Sequence, residues 1–173
     1  MPNNKHVFFV FIGLLLSVGC QANTAEHGLG LCTNEETLLF GFRVSGKDKY
    51  VSLCEGQDEK YLTYRFGTSA NVELQYPEVL SESSWGDFSF HGYSRGGGVE
   101  NDAMGDYSIS FINQGVEYTI SQSWRLRSNE YFLGILINTG EKRIVFQGDH
   151  GSQSGSLVLL EGKEKIKFSQ EMQ

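Results

Sequence analysis

Proline is nearly missing from this chain, with 2 in 173 residues, and cysteine is scarce, with 3. So little proline excludes a polyproline linker. No CxxC is present, and no Cys/His spacing suits a structural zinc site. The 21 glycines follow no G-X-Y period, which excludes a collagen-like chain, and no GxGxxG fingerprint precedes a helix. No cofactor is therefore expected. Basic charge is the minority, 14 Lys and Arg against 21 Asp and Glu, and a net charge of −7 disfavours nucleic acid as a partner. Helical periodicity is also absent over any stretch of 10 or more residues. What is plentiful is aromatic: 12 Phe, 8 Tyr and 2 Trp, too much apolar surface for a disordered chain.

The longest apolar run, Val7–Val18, follows Lys5 and His6. It is shorter than the roughly 20 residues a membrane-spanning helix needs, and it matches the core of a signal peptide. Residues 1–19 are read as an export signal, residues 20–30 as a flexible tether and residues 31–173 as a β domain. Leu16-Ser17-Val18-Gly19-Cys20 resembles a bacterial lipoprotein signal, in which Cys20 would be lipidated and anchor the chain to a membrane without crossing it. Ordinary cleavage after Ala22 is the alternative, leaving a soluble periplasmic or secreted protein. Without residues 1–19 the chain carries 13 basic and 21 acidic residues, a charge of −8.

Export also bears on the other two cysteines. In an oxidising compartment Cys32 and Cys54 read as one disulfide, worth about 3 kcal/mol by the chain-entropy model. Two buried free thiols are the alternative.

From residue 37 onward the sequence alternates. Val72, Leu74 and Tyr76 share one face, as do Tyr107, Ile109 and Phe111, and Val116, Tyr118 and Ile120, with polar residues between. Further strands are expected over Thr37–Val44, Lys49–Cys54, Tyr61–Phe66, Trp85–Tyr93, Phe132–Ile137, Arg143–Phe146 and Leu157–Leu160. Short turns at Ser45–Asp48, Gly67–Ala70, Asn113–Gly115 and Asn138–Gly140 favour antiparallel neighbours. The fold class is all-β: one antiparallel β-barrel or sandwich of about ten strands. Glu161–Gln173 reads as a lysine-protected edge strand or a frayed tail.

The densest polar stretch is His91–Asp102, read as a long glycine-rich loop after an aromatic strand. Its Gly96, Gly97 and Gly98 permit close backbone approach. His91, Tyr93, Arg95, Glu100 and Asn101 are the candidate binding residues, since loops on a rigid sheet concentrate recognition. Asp87, Glu100, Asp102 and Asp106 lie near one another in sequence and are the carboxylates a hydrolase would use. Tyr50, Tyr61, Tyr64, Phe66, Tyr76, Trp85 and Trp124 read mainly as core or cross-strand residues.

Lys49-x-Val51-Ser52-Leu53-Cys54, Tyr61-Leu62-Thr63-Tyr64-Arg65-Phe66-Gly67 and Glu73-Leu74-Gln75-Tyr76-Pro77 together resemble a family of small uncharacterised exported bacterial proteins. The resemblance is most specific at Tyr61–Gly67 and extends loosely over Cys32–Leu159. It implies the bacterial envelope and no activity. A weaker similarity is to envelope C-type lysozyme inhibitors, small disulfide-bonded β-barrels whose inhibitory loop carries Ser-Gly-x-x-Tyr. Here Ser45-Gly46-Lys47-Asp48-Lys49-Tyr50 has one residue more, which would turn Tyr50 to the opposite face. An acidic chain would suit a basic lysozyme.

These observations lead to an exported, non-catalytic envelope protein that binds a basic protein or a cell-wall component. An envelope hydrolase and a purely structural lipoprotein are the competing classes.

Overall fold

A computed structural model describes residues 30–169. The expected export signal, the expected lipidation at Cys20 and the expected tether up to residue 29 lie outside the described residues. The alternating segments form eleven strands: β1 (Glu36–Arg43), β2 (Tyr50–Gly56), β3 (Leu62–Thr68), β4 (Asn71–Tyr76), β5 (Ser89–Arg95), β6 (Met104–Asn113), β7 (Val116–Arg125), β8 (Glu130–Asn138), β9 (Arg143–Gln147), β10 (Ser154–Gly155) and β11 (Lys167–Phe168). One sheet has the order β10-β1-β2-β3-β4, the other β11-β5-β6-β7-β8-β9.

β1–β4 and β5–β9 are each an up-and-down meander, with β10 and β11 added at the edges, and the short links explain the meanders. At Gln114-Gly115 both residues take positive φ, 50° and 80°, the two-residue turn whose twist suits a hairpin. The two sheets pack face to face as a sandwich. They approach at one rim, where Val44 bridges Gly148 and the Asp149 N–H donates to the Arg43 carbonyl at 2.8 Å, but the strands do not close into a barrel.

The alternation places one apolar face of each sheet inside. Phe40, Phe42, Val51, Leu53, Leu62 and Tyr64 come from the first sheet. Phe90, Tyr107, Ile109, Phe111, Ile120, Leu133 and Ile135 come from the second. Each such side chain contributes about 1.5–3 kcal/mol on burial. The aromatics stack in this core: Phe111 lies 4.9 Å from Tyr118 and 4.3 Å from Tyr76, between ring centroids.

The structure corrects four expectations. Trp85 is not in a strand: it lies in a 3-10 turn, Glu82–Asp87, started by Ser81 and Ser84 capping each other, and its indole is buried. Leu157–Leu160 is also a 3-10 turn. Ser156 caps it, and the three-residue period buries Leu157 and Leu160 while Val158 and Leu159 face out. The loop expected over His91–Asp102 begins later, because β5 runs on through Arg95. Finally, the antiparallel pattern has an exception, since β11 pairs β5 in parallel at Lys167 and Phe168.

Candidate functional site

Each sheet also has an outer face, and the two are built differently. On the first sheet the outward residues are Glu36, Leu38 and Gly41 of β1, Ser52 and Cys54 of β2, Thr63 and Arg65 of β3, and Gln75 of β4. The segment entering β1 crosses this face. Cys32 is bonded to Cys54 with their Cα atoms 5.6 Å apart, and the Leu31 N–H donates to Ser52 Oγ at 2.8 Å.

Under this strap Ser52, Cys54, Thr63 and Arg65 are buried despite pointing away from the core. Arg65 meets Glu36 in a two-pronged ion pair. Its Nη2 donates to Glu36 Oε1 at 2.8 Å, Nη1 donates to Oε2 and to the Leu31 carbonyl, and Nε donates to Gln75 Oε1 at 2.9 Å. The Tyr61 hydroxyl and the Thr33 N–H complete the carboxylate's partners, at 2.9 and 2.7 Å. Burial works to raise the Glu36 pKa, but the bonds from Arg65, Thr33 and Tyr61 outweigh it and hold the group below the ordinary carboxylate range.

The segment Tyr61–Gly67 is therefore spent on structure. Tyr61 and Arg65 hold Glu36, Thr63 donates to the Tyr76 carbonyl, and Tyr64 fills the core. At Gly67 a Cβ would fall 2.2 Å from the Asn71 carbonyl oxygen, so the β3–β4 hairpin needs glycine there. Cys32, Glu36 and Cys54 also form a compact trio of metal-ligand types, but the sulfurs bond each other and the carboxylate is engaged by Arg65.

Among the described residues, no such strap crosses the second sheet's outer face. Cross-strand register arranges it in rows. Ser89, Ser110, Thr119, Leu136 and Val145 form one, and His91, Ser108, Ser121, Gly134 and Gln147 form the next. Beyond them come Tyr93, Asp106, Ser123 and Phe132, then Arg95, Met104, Arg125 and Glu130. The hydroxyls of Ser89, Ser108, Ser110, Thr119, Ser121 and Ser123 make no hydrogen bond among the described residues, and Asp106 has no ion-pair partner there. His91 Nε2 is shielded from solvent without a hydrogen-bond partner.

Two aromatic rings flank the row of Asp106 and Ser123: Tyr93 is 47% exposed and Phe132 37%. A Cβ on Gly134 would come within 3.0 Å of the Phe132 Cζ, so this ring lies over the glycine, along the sheet. Beside Phe132 a depression of about 440 Å³ opens at the β7–β8 turn, lined by Ser123, Arg125, Asn129 and Glu130 among others.

Of the sequence-derived candidates, His91, Tyr93 and Arg95 thus share one face of a strand, not a loop. Glu100 and Asn101 sit in the exposed β5–β6 connection, past the end of that face. Asn101 supplies a carbonyl to the Gly98 N–H at 2.9 Å, and Arg95 Nε donates to the Asp102 carbonyl at 3.0 Å, giving this connection its shape. The carboxylates disperse. Asp102 accepts the Arg127 N–H at 2.8 Å, whereas Asp87 precedes β5, six residues from the position opposite Asp106 and so roughly 20 Å along the sheet.

Two further polar clusters escaped sequence reading, and both are internally partnered. Buried Gln122 donates to the Tyr131 hydroxyl at 2.8 Å and accepts from Leu157 N–H at 2.9 Å, pinning the Leu157–Leu160 turn between the sheets. Lys163 lies 2.7 Å from Glu55 and 2.5 Å from Glu59, with Trp85 Nε1 on the Glu59 carbonyl. In the Ser45–Tyr50 segment, Gly46 takes φ +68°, Lys47 sits 4.2 Å from the centre of the Phe146 ring and Lys49 pairs with Glu73.

No family model matches the chain, and neither a curated protein nor a solved structure does.

Proposed function

We propose that this chain is a non-catalytic binding protein of the bacterial envelope, exported by residues 1–19 and tethered through Cys20. Its contact surface is the outer face of the six-stranded sheet, from His91, Tyr93 and Arg95 across to Phe132. One observation carries the reading: among the described residues this face has hydroxyls and a carboxylate without partners and two part-exposed rings, while the matching face of the other sheet is covered and its polar groups satisfied. Polar groups that a fold leaves unpartnered can be partnered by a ligand, and rigid sheet elements present them accurately. The scattered carboxylates support binding over hydrolysis, which needs a convergent pair.

Oxidative footprinting tests this reading whatever the ligand is. Tyr93 and Phe132 should label more slowly on the full chain in intact envelopes than on the detergent-purified chain, with exposed Leu126 and Val79 as references. Equal labelling of Tyr93 and Phe132 in both settings would overturn the assignment.

A further inference from the structure

The ligand class can be taken further, on the reading that this face is the contact surface. We infer that it binds an uncharged N-acetylated amino-sugar glycan of the cell wall, laid across the strands between Tyr93 and Phe132.

The first argument is hydrogen-bonding capacity. Ser89, Ser108, Ser110, Thr119, Ser121 and Ser123 occupy adjacent positions on three strands. Neighbouring strands lie about 4.8 Å apart and same-face residues about 6.8 Å apart along a strand, so the hydroxyls form a lattice, not a single cluster. Each hydroxyl offers one donor and two acceptor sites. An apolar partner would strip their water and return nothing, at a penalty for every buried hydroxyl. Serine is moreover depleted in protein–protein interfaces, while a ligand that is itself a lattice of hydroxyls exchanges water for equivalent bonds.

The second argument is shape. Short side chains and Gly134 keep the middle of the face low, and the Phe132 ring reaches over that glycine with its Cζ. Tyr93 and Phe132 belong to one cross-strand row, three strand spacings and so about 14 Å apart. A pyranose ring has an apolar C–H face that stacks on an aromatic ring and a polar hydroxyl rim. A glycan chain therefore meets both aromatic ends of the row while its rim faces Asp106 and Ser123 between them and Ser108 and Ser121 in the next row.

Charge selects among glycans. Arg95 and Arg125 are offset on this face by Asp106 and Glu130, and Arg143 at its margin by Glu117, so the surface suits a neutral ligand better than a polyanion. Asp106, free of any ion-pair partner among the described residues, is an acceptor-only group in the middle of the aromatic row. It can take the N–H of an acetamido group, which a plain hexose lacks. On the reading that residues 1–19 export the chain, the face meets a wall whose glycan backbone is built of N-acetylated amino sugars.

Chitohexaose, an uncharged N-acetylglucosamine oligomer, is the probe, titrated calorimetrically into the full chain with cellohexaose as its counterpart. Saturable binding of chitohexaose is expected, at least about tenfold tighter than cellohexaose, and about tenfold weaker in Tyr93→Ala or Phe132→Ala. Binding should be lost in the Ser108→Val/Ser121→Val double variant. That variant keeps strand-favouring side chains, and an unchanged melting temperature will confirm its fold. Ile112→Ser, outside the rows, should bind as the parent does. No binding of chitohexaose at millimolar concentration, or equal binding of cellohexaose, would overturn the ligand class while envelope protection of Tyr93 and Phe132 left the contact face standing. Chitohexaose binding untouched by the Ser108→Val/Ser121→Val pair would overturn the face itself.

Discussion

The outer faces of the two sheets start from the same sequence pattern, apolar residues inward and polar residues outward, and end as opposites. On the first, residues 30–34 lie across the strands, fixed by Cys32–Cys54, and every polar group beneath finds a partner. On the second, the same pattern leaves serines and a threonine facing outward alone. Polarity on a strand therefore says little about function. What discriminates is whether the fold itself answers the polar group, and by that measure Arg65, the most conspicuous charge in the Tyr61–Gly67 motif, is structural, while the plain serines of β6 and β7 are available.

The strapped face should be the easier to break. Glu36→Ala leaves the Arg65 guanidinium buried without its counter-charge, an expected loss of about 3–5 kcal/mol in the urea unfolding free energy. Arg65→Lys should not rescue the pair, because a single ammonium cannot reproduce the two-pronged contact. Next in size is the staple: Cys32→Ser/Cys54→Ser should cost about 3 kcal/mol, read as a lower melting temperature that matches the reduced parent. If Glu36→Ala melts like a surface substitution, the contrast between the faces fails at its stronger end.

Acid should act on the same face. The folded Glu36 pKa lies below its unfolded value, so its stabilisation is complete above about pH 4.3 and declines as pH falls from there through the folded pKa. Urea midpoints measured downward from pH 6 should fall more steeply for the parent than for a Glu36→Gln variant, which has no carboxyl to protonate at that site. Parallel curves would mean that other carboxylates govern the acid limb.

Much of this architecture was legible in the sequence, and the misses have definite causes. Alternation located the strands because a half-buried sheet imposes a period of two, and the cysteine count, read with an expected export signal, indicated the staple. The strap was not legible, because polar residues alternating with core residues look solvated whether or not another segment covers them. One signal was there: pairing Cys32 with Cys54 brings Glu36, four residues on, to the face that carries Arg65. The expected strand Trp85–Tyr93 already held His91 and Tyr93, but the glycines at 96–98 drew the whole of His91–Asp102, Arg95 included, into a loop reading. Leu157–Leu160 misled in the opposite direction. Four apolar residues fit a short strand as well as a turn, and only the Ser156 cap separates the two. The hydroxyl lattice needed register: Ser108 and Ser121 are each visibly outward, yet that they lie side by side follows only from the pairing of β6 with β7.

The smallest expected effect is on the open face, and there smallness is informative. Ser108→Val/Ser121→Val removes two hydroxyls that no described residue bonds and adds β-branched side chains that strands favour. Exposed positions without structural partners usually move stability by no more than about 0.5 kcal/mol, so the variant should unfold at nearly the parent's urea midpoint. A loss of 2 kcal/mol or more would mean that these hydroxyls carry a structural duty, and the distinction between an answered and an unanswered face would collapse. An unchanged midpoint would leave the serine rows without a role in folding. Any difference between variant and parent in the chitohexaose titration would then be a difference in binding alone.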